Sequence, residues 1–144
     1  MGKKRIVKQK GQKMDKNLKS RALSRVPKRK LAKGILHVQS TYNNTKALMT
    51  DIEGNAIIFS SSGALGFKGA KKGTPYAAAK VGEVLGEKAA MMGVKEVDVV
   101  VKGVGSGRES TIRGFMSFGI DINRIQDKTP VPFNGPRPPK ARRV

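Results

Sequence analysis

Apolar residues along this chain come in short runs, and their spacing changes at glycines, asparagines and prolines. Between Gly34 and Ser61 the runs have strand length: Ile35–Thr41, Lys46–Ile52 and Ala56–Ser61. Tyr42-Asn43-Asn44-Thr45 joins the first two and Glu53-Gly54-Asn55 precedes the third, residues suited to tight turns. An antiparallel meander of three strands is expected. Thr74-Pro75 then predicts a helix start, with a hydroxyl cap and proline at the first helical position. Ala78, Val81, Leu85, Ala89 and Met92 recur at helical spacing down to Gly93, a C-terminal cap. The small residues Ala77, Ala78, Gly82, Gly86 and Ala90 predict that this helix lies close to a sheet. Val97–Val101 is continuously apolar, as in a strand covered on both faces. Glu109–Phe118 predicts a second helix closed by Gly119, and Ile120–Gln126 a last strand. Residues 129–144 hold five of the chain's seven prolines and join neither a helix nor a central strand. The pattern predicts one α/β domain of about five strands with two helices.

Charge divides the chain differently. Residues 1–33 carry fourteen Lys/Arg against Asp15, and residues 128–144 carry five against no acid. Residues 34–127 carry eleven basic against nine acidic residues, a net of only +2 within a total of +20. A near-neutral body (34–127) between a basic N-terminal extension (1–33) and a Pro-rich basic tail (128–144) suits a chain that folds normally and also follows a polyanion. Residues 1–33 show little apolar periodicity and are expected to be an unstructured arm that orders on RNA.

Several function classes drop out. No run approaches the roughly 18 apolar residues of a membrane span, and the Lys-rich N-terminus does not fit a secretory signal. There is no cysteine, and His37 is the single histidine, so thiolate chemistry and a His-rich metal site are excluded. Asp51, Glu53, Glu96 and Asp98 are the carboxylates a two-metal nuclease would need. Glu96 and Asp98 flank one strand's start, however, and no nucleophile motif accompanies them. No enzyme activity, cofactor or small-molecule substrate is expected, and Met91-Met92 reads as packing. The absence of Trp argues against binding by base stacking, which leaves phosphate and sugar contacts.

Two glycine-rich loops are candidates for those contacts. Gly103-Val104-Gly105-Ser106-Gly107-Arg108 lies between a strand and a helix, where backbone N–H groups and the helix dipole can face an anion. Arg108 occupies the position that a dinucleotide fingerprint requires as glycine, so nucleotide binding has no support. Residues 62–74 combine glycines with Lys68, Lys71 and Lys72. A capped turn and a solvated loop are the plain alternatives for the two, and the 42–45 segment is either a turn or an RNA contact.

DKTPVPFNGPRPPKARRV at 127–144, with STYNNT (40–45), TDIEGN (50–55), SSGALGFKGAKKGTPYAAA (61–79) and VKGVGSGRESTIR (101–113), resembles the bacterial-type family of small ribosomal subunit protein eleven, block by block and in order. The resemblance implies a ribonuclease-H-like fold without nuclease function. It also implies a place on the small-subunit platform, bridging helices of the ribosomal RNA and helping to form the cleft where messenger RNA pairs upstream of the start codon, on the exit side. Implied neighbours are small-subunit proteins seven and eighteen and initiation factor three, in a cytoplasmic ribosome or an organellar one. By matching block, the implied RNA contacts are Asn43, Asn44, Thr45, Ser62, Gly63, Phe67, Lys68, Gly69, Lys71, Lys72 and Thr74. They continue with Gly105, Gly107, Arg108, Glu109, Ser110 and Arg113, and in the tail with Asn134, Gly135, Arg137, Pro138, Pro139, Lys140, Arg142 and Arg143. Glu109, an acid among phosphates, is read as orienting Arg108 or stabilising the helix start. The family's glycine-proline repeat is here Gly103-Val104-Gly105-Ser106-Gly107, which predicts a less stiff loop. Phe133, Pro136 and Ala141 also depart from the family's tail. Asn134-Gly135 invites conversion to isoaspartate. A free-standing architectural nucleic-acid-binding protein is the alternative function.

Overall fold

A computed structural model describes residues 16–143. Its sheet contains β1 (Lys33–Ser40), β2 (Thr45–Thr50), β3 (Ala56–Ser61), β4 (Glu96–Lys102) and β5 (Asp121–Asp127), in the order β3-β2-β1-β4-β5. β2 pairs antiparallel with β1 and β3, while β4 runs parallel to both β1 and β5. β2 alone opposes the other four, which fits the ribonuclease-H-like expectation. Each strand lies within two residues of the run that predicted it.

Alternation along the strands decides where the core lies. Leu36 and Val38, Ala47 and Met49, Ile58, and Val97, Val99 and Val101 are buried on one face. They meet Val81, Val84, Leu85 and Ala89 of α2 (Pro75–Met91) and Phe115 of α3 (Gly107–Met116). The opposite face carries His37, Leu48 and the exposed Phe59, and no described helix covers it. The expected cover on both faces of β4 is therefore corrected: Val100 is sheltered between His37 and Gln126 across the ladder, not by a helix.

The small residues of α2 also serve a different neighbour from the one expected. A Cβ on Gly82 would lie 2.1 Å from the Thr111 carbonyl oxygen, and one on Gly86 would lie 2.8 Å from that of Phe115. Reciprocally, a Cβ on Gly114 would lie 2.5 Å from the Ala79 carbonyl. These glycines bring α2 and α3 together backbone to backbone instead of fitting α2 to the sheet, and Ala90 is exposed.

A third helix, α1 (Lys16–Ser24), corrects the two-helix expectation and the unstructured-arm expectation over residues 16–33. Ala22, Val26 and Leu31 pack against the core, Leu31 N–H donates to the Met92 carbonyl (3.2 Å), and Arg29 pairs with Asp51 (3.5 Å). Leu18, Ala22 and Val26 recur every four residues, a helical signal diluted by the surrounding Lys and Arg. Residues 1–15, also assigned to the arm, lie outside the described residues. On the far edge, the β4–β5 register shifts after Val97: Val97 faces Ile122, but Asp98 faces Arg124, leaving Asn123 unopposed.

Candidate nucleic-acid interface

Three connections meet at one end of the sheet: the β1–β2 turn, the 62–74 segment after β3, and the 103–106 segment between β4 and α3. Their glycines let backbones touch. A Cβ on Gly73 would lie 2.2 Å from the Tyr42 carbonyl oxygen, and one on Gly105 would lie 2.4 Å from that of Thr41. Gly103, at φ +97°, leaves only 2.1 Å between such an atom and the Ser40 carbonyl, so both conformation and space require glycine there. The Ser106 hydroxyl donates to the Gly73 carbonyl (3.2 Å), Ser62 N–H donates to Thr45 O (3.0 Å), and Ser40 and Thr45 share a hydroxyl–hydroxyl bond (3.2 Å). The 103–107 loop is thus held on several sides.

This interlock sorts the residues singled out by sequence. Asn43, Gly63, Lys68, Gly69 and Lys71 are exposed, and Asn44, Lys72 and Thr74 are partly so. Thr45, Ser62, Phe67, Gly105 and Gly107 are buried and act as the frame beneath that surface. Phe67 meets the Tyr76 ring edge to face at 6.1 Å, and the Thr74 hydroxyl accepts from Ala77 N–H to start α2. A 3-10 turn over Gly69–Gly73 carries Lys71 and Lys72; with Lys68, neither enters an ion pair among the described residues. Two polar atoms here, Asn44 Oδ1 and Ser62 Oγ, are buried without a hydrogen-bond partner.

The start of α3 differs in detail from the expected anion nest. Ser106 makes no side-chain cap bond because its hydroxyl is committed to Gly73. Arg108 is oriented by Asp127, not by Glu109 as expected; Glu109 instead pairs with Arg113 (3.6 Å) on the exposed face of the first turn. An acid in that turn still meets the favourable end of the helix dipole. Ser110 is half-buried beside them.

Asp127 is the junction that sequence reasoning missed. Its carboxylate accepts from the Thr129 hydroxyl (2.6 Å), Thr129 N–H (2.9 Å) and the Arg108 guanidinium, which together hold its pKa down to about 2. The same Thr129 hydroxyl accepts from Gly103 N–H (3.2 Å), and Lys128 N–H donates to the Val101 carbonyl (2.9 Å). The tail is therefore rooted on the loop cluster. Asp-x-Thr is a local turn signal that was available in the sequence, but its partners 19 and 26 residues away were not. Beyond the root, Asn134, Gly135, Arg137, Pro138, Pro139, Lys140, Arg142 and Arg143 are all exposed. Asn134 has φ +53°, the one described non-glycine residue with positive φ.

The remaining chemistry is structural. Asp51 accepts from Asn55 N–H (2.8 Å) and Nδ2 (3.0 Å), bonds that hold its carboxyl below the usual range with help from Arg29. Glu96 is likewise lowered by Lys33 and Asn123, and Asp98 pairs with Arg124 (3.5 Å). Among the described residues no three carboxylate or imidazole groups come close enough to share a metal ion. Met92 is buried as packing requires, whereas Met91 is exposed. His37 faces the helix-free side, where burial and then Lys102 and Lys128 lower its pKa.

The family model described as ribosomal protein S11 matches residues 34–143, which takes in the whole sheet, α2, α3 and the tail but not α1. A match of that extent leaves no ground for a free-standing architectural protein. The chain belongs to the ribosomal protein S11 family, whose members are structural, non-enzymatic proteins of the small ribosomal subunit that bind its RNA.

Proposed function

We propose that the loop cluster and the tail act as a two-part staple, holding separate helices of small-subunit RNA together on the subunit platform. The observation that carries this reading is the rooting of the tail, through Asp127 and Thr129, on the same end of the sheet as the three interlocked loops. The body supplies a rigid surface with Lys68, Lys71 and Lys72 at its rim. The tail supplies Arg137, Lys140, Arg142 and Arg143 on a chain that Pro136, Pro138 and Pro139 keep extended. Asn43, exposed beside these lysines, offers a side-chain amide to sugar or phosphate groups. Neutralising phosphates from more than one helix lowers the repulsion between them, and released counterions drive association. The same reading has the protein beside the messenger RNA cleft of a cytoplasmic ribosome, with small-subunit proteins seven and eighteen as neighbours and initiation factor three as a transient contact.

Hydroxyl-radical footprinting of small-subunit RNA tests the staple. Deleting residues 130–144 is expected to erase protection on one set of helices and leave the body's footprint intact. An unchanged footprint after truncation would overturn the two-part reading. The intact protein should also show affinity falling steeply with salt, by about 0.7–0.9 in log–log slope per phosphate neutralised.

A further inference from the structure

Lys88 is out of place. It lies in α2's last turn, three residues before Met91, is only 6% exposed, and has no ion pair among the described residues. Burying an unpaired ammonium is costly, so such a group either loses its proton or receives an anion. The surroundings decide between these. Lys88 lines a cavity of about 310 Å³ between α1, α2 and β3, whose mouth carries Arg21 and Arg25 and whose wall includes Ser60. Leu18, Ile58 and Leu65 form the apolar remainder. No acid lines it. Arg25 adds its repulsion to the burial that already disfavours the Lys88 ammonium.

We propose that this cavity is an oxyanion site for a phosphate group, lined by Lys88 of α2, Arg21 of α1 and Arg25 just beyond α1. Three cations around one space match a multiply charged, multi-oxygen anion better than a single carboxylate, and the two guanidiniums offer paired donors. The site is separate from the loop cluster, since Lys88 follows Thr74 by 14 residues, about 21 Å along α2. An anion bridging Lys88 to Arg21 and Arg25 would also relieve the repulsion among these three cations and add to the Lys19–Glu87 pair (3.7 Å) that already ties α1 to α2. The phosphate comes from an RNA backbone or from free phosphate; the first source rests on the RNA-binding function proposed above.

Isothermal titration of the full chain with inorganic phosphate, against acetate at matched ionic strength, tests the site. Saturable phosphate binding is expected, weakened at least tenfold in Lys88→Met and within twofold in the exposed control Lys95→Met. Arg21→Gln with Arg25→Gln, both exposed residues, should weaken it similarly and covers the case in which Lys88→Met misfolds. Equal phosphate binding by wild type and these variants, or acetate binding as tightly as phosphate, would overturn the proposal. The source is read from ribosomal RNA binding. Lys88→Met lowering the log–log salt slope by about 0.7–0.9 assigns a backbone phosphate, and an unchanged slope with Lys88-dependent phosphate binding assigns the free anion. A wild-type chain that binds no ribosomal RNA would sink the staple while leaving the titration result standing.

Discussion

The loop cluster and the C-terminal tail carry the same family signature, yet they are held in opposite ways. In the cluster, Gly73, Gly103 and Gly105 bring backbones so close that a methyl group has no room, and Gly107 is closed in by the Thr45 and Ala78 side chains. The tail touches the body only at its root and then runs exposed through Arg143. One part is shaped before any partner arrives, so little ordering entropy opposes binding there. In the proposed staple the other keeps its cations apart until phosphates gather them, with prolines limiting what is lost when it orders. Similar charge and similar sequence specificity can thus rest on rigidity in one place and on reach in another.

The sharpest way to break this contrast is to add a side chain inside the cluster. Gly103→Ala forces a Cβ toward Ser40 O at a positive φ, and overpacking plus backbone strain should cost about 3 kcal/mol or more, read as a drop in denaturant midpoint. Removing residues 130–144 should do the reverse. Thermal cooperativity stays, whereas the salt slope of RNA binding falls by about 3, for the four cations Arg137, Lys140, Arg142 and Arg143. A loss of cooperative melting on truncation would mean that the tail belongs to the core.

Smaller effects probe the joint between the two parts. Thr129→Val deprives Gly103 N–H of its acceptor and should cost about 1 kcal/mol in denaturation. It should also move the Asp127 titration, followed by NMR, from about 2 toward the ordinary carboxylate range, because Thr129 supplies the main bonds to that anion. The sign follows from linkage: a lowered folded-state pKa contributes stability above the unfolded value that is lost as pH falls toward 2. In Thr129→Val that loss starts at the same unfolded-state value but is smaller and ends at a higher pH. Smallest of all, Glu109→Gln breaks an exposed pair with Arg113 and should change stability by about 0.3–0.5 kcal/mol.

Local chemistry made most of the fold readable. The β1–β3 meander, the Thr74-Pro75 helix start and the Gly93 stop, at φ +82°, each depend on residues within a few positions of one another. Helix α1 was obscured because its apolar residues are outnumbered by charge and its stability comes from contact with α2 and β3. The use of Gly82 and Gly86 against α3 was equally hidden, since small residues announce a close approach but not the partner. At the candidate interface the exposed lysines were legible from composition. The division between frame (Thr45, Ser62, Phe67) and surface (Asn43, Lys68, Lys71) was not, because burial is decided by which loops meet. Arg108 was misassigned to Glu109 for the same reason: its partner Asp127 becomes adjacent only after β5 is laid beside β4.

That adjacency depends on a count of residues. Had Asn123 not been skipped along the β4–β5 ladder, each later position of β5 would slide by one, and Gln126 would stand opposite Val101 where Asp127 now stands. The carboxylate would turn to the helix-free side, away from Arg108, and the tail would leave the sheet from the wrong face. The direction in which four distant cations are launched is therefore written in one extra link of an edge strand, and drawing that link into the ladder would redirect them without altering a single charge.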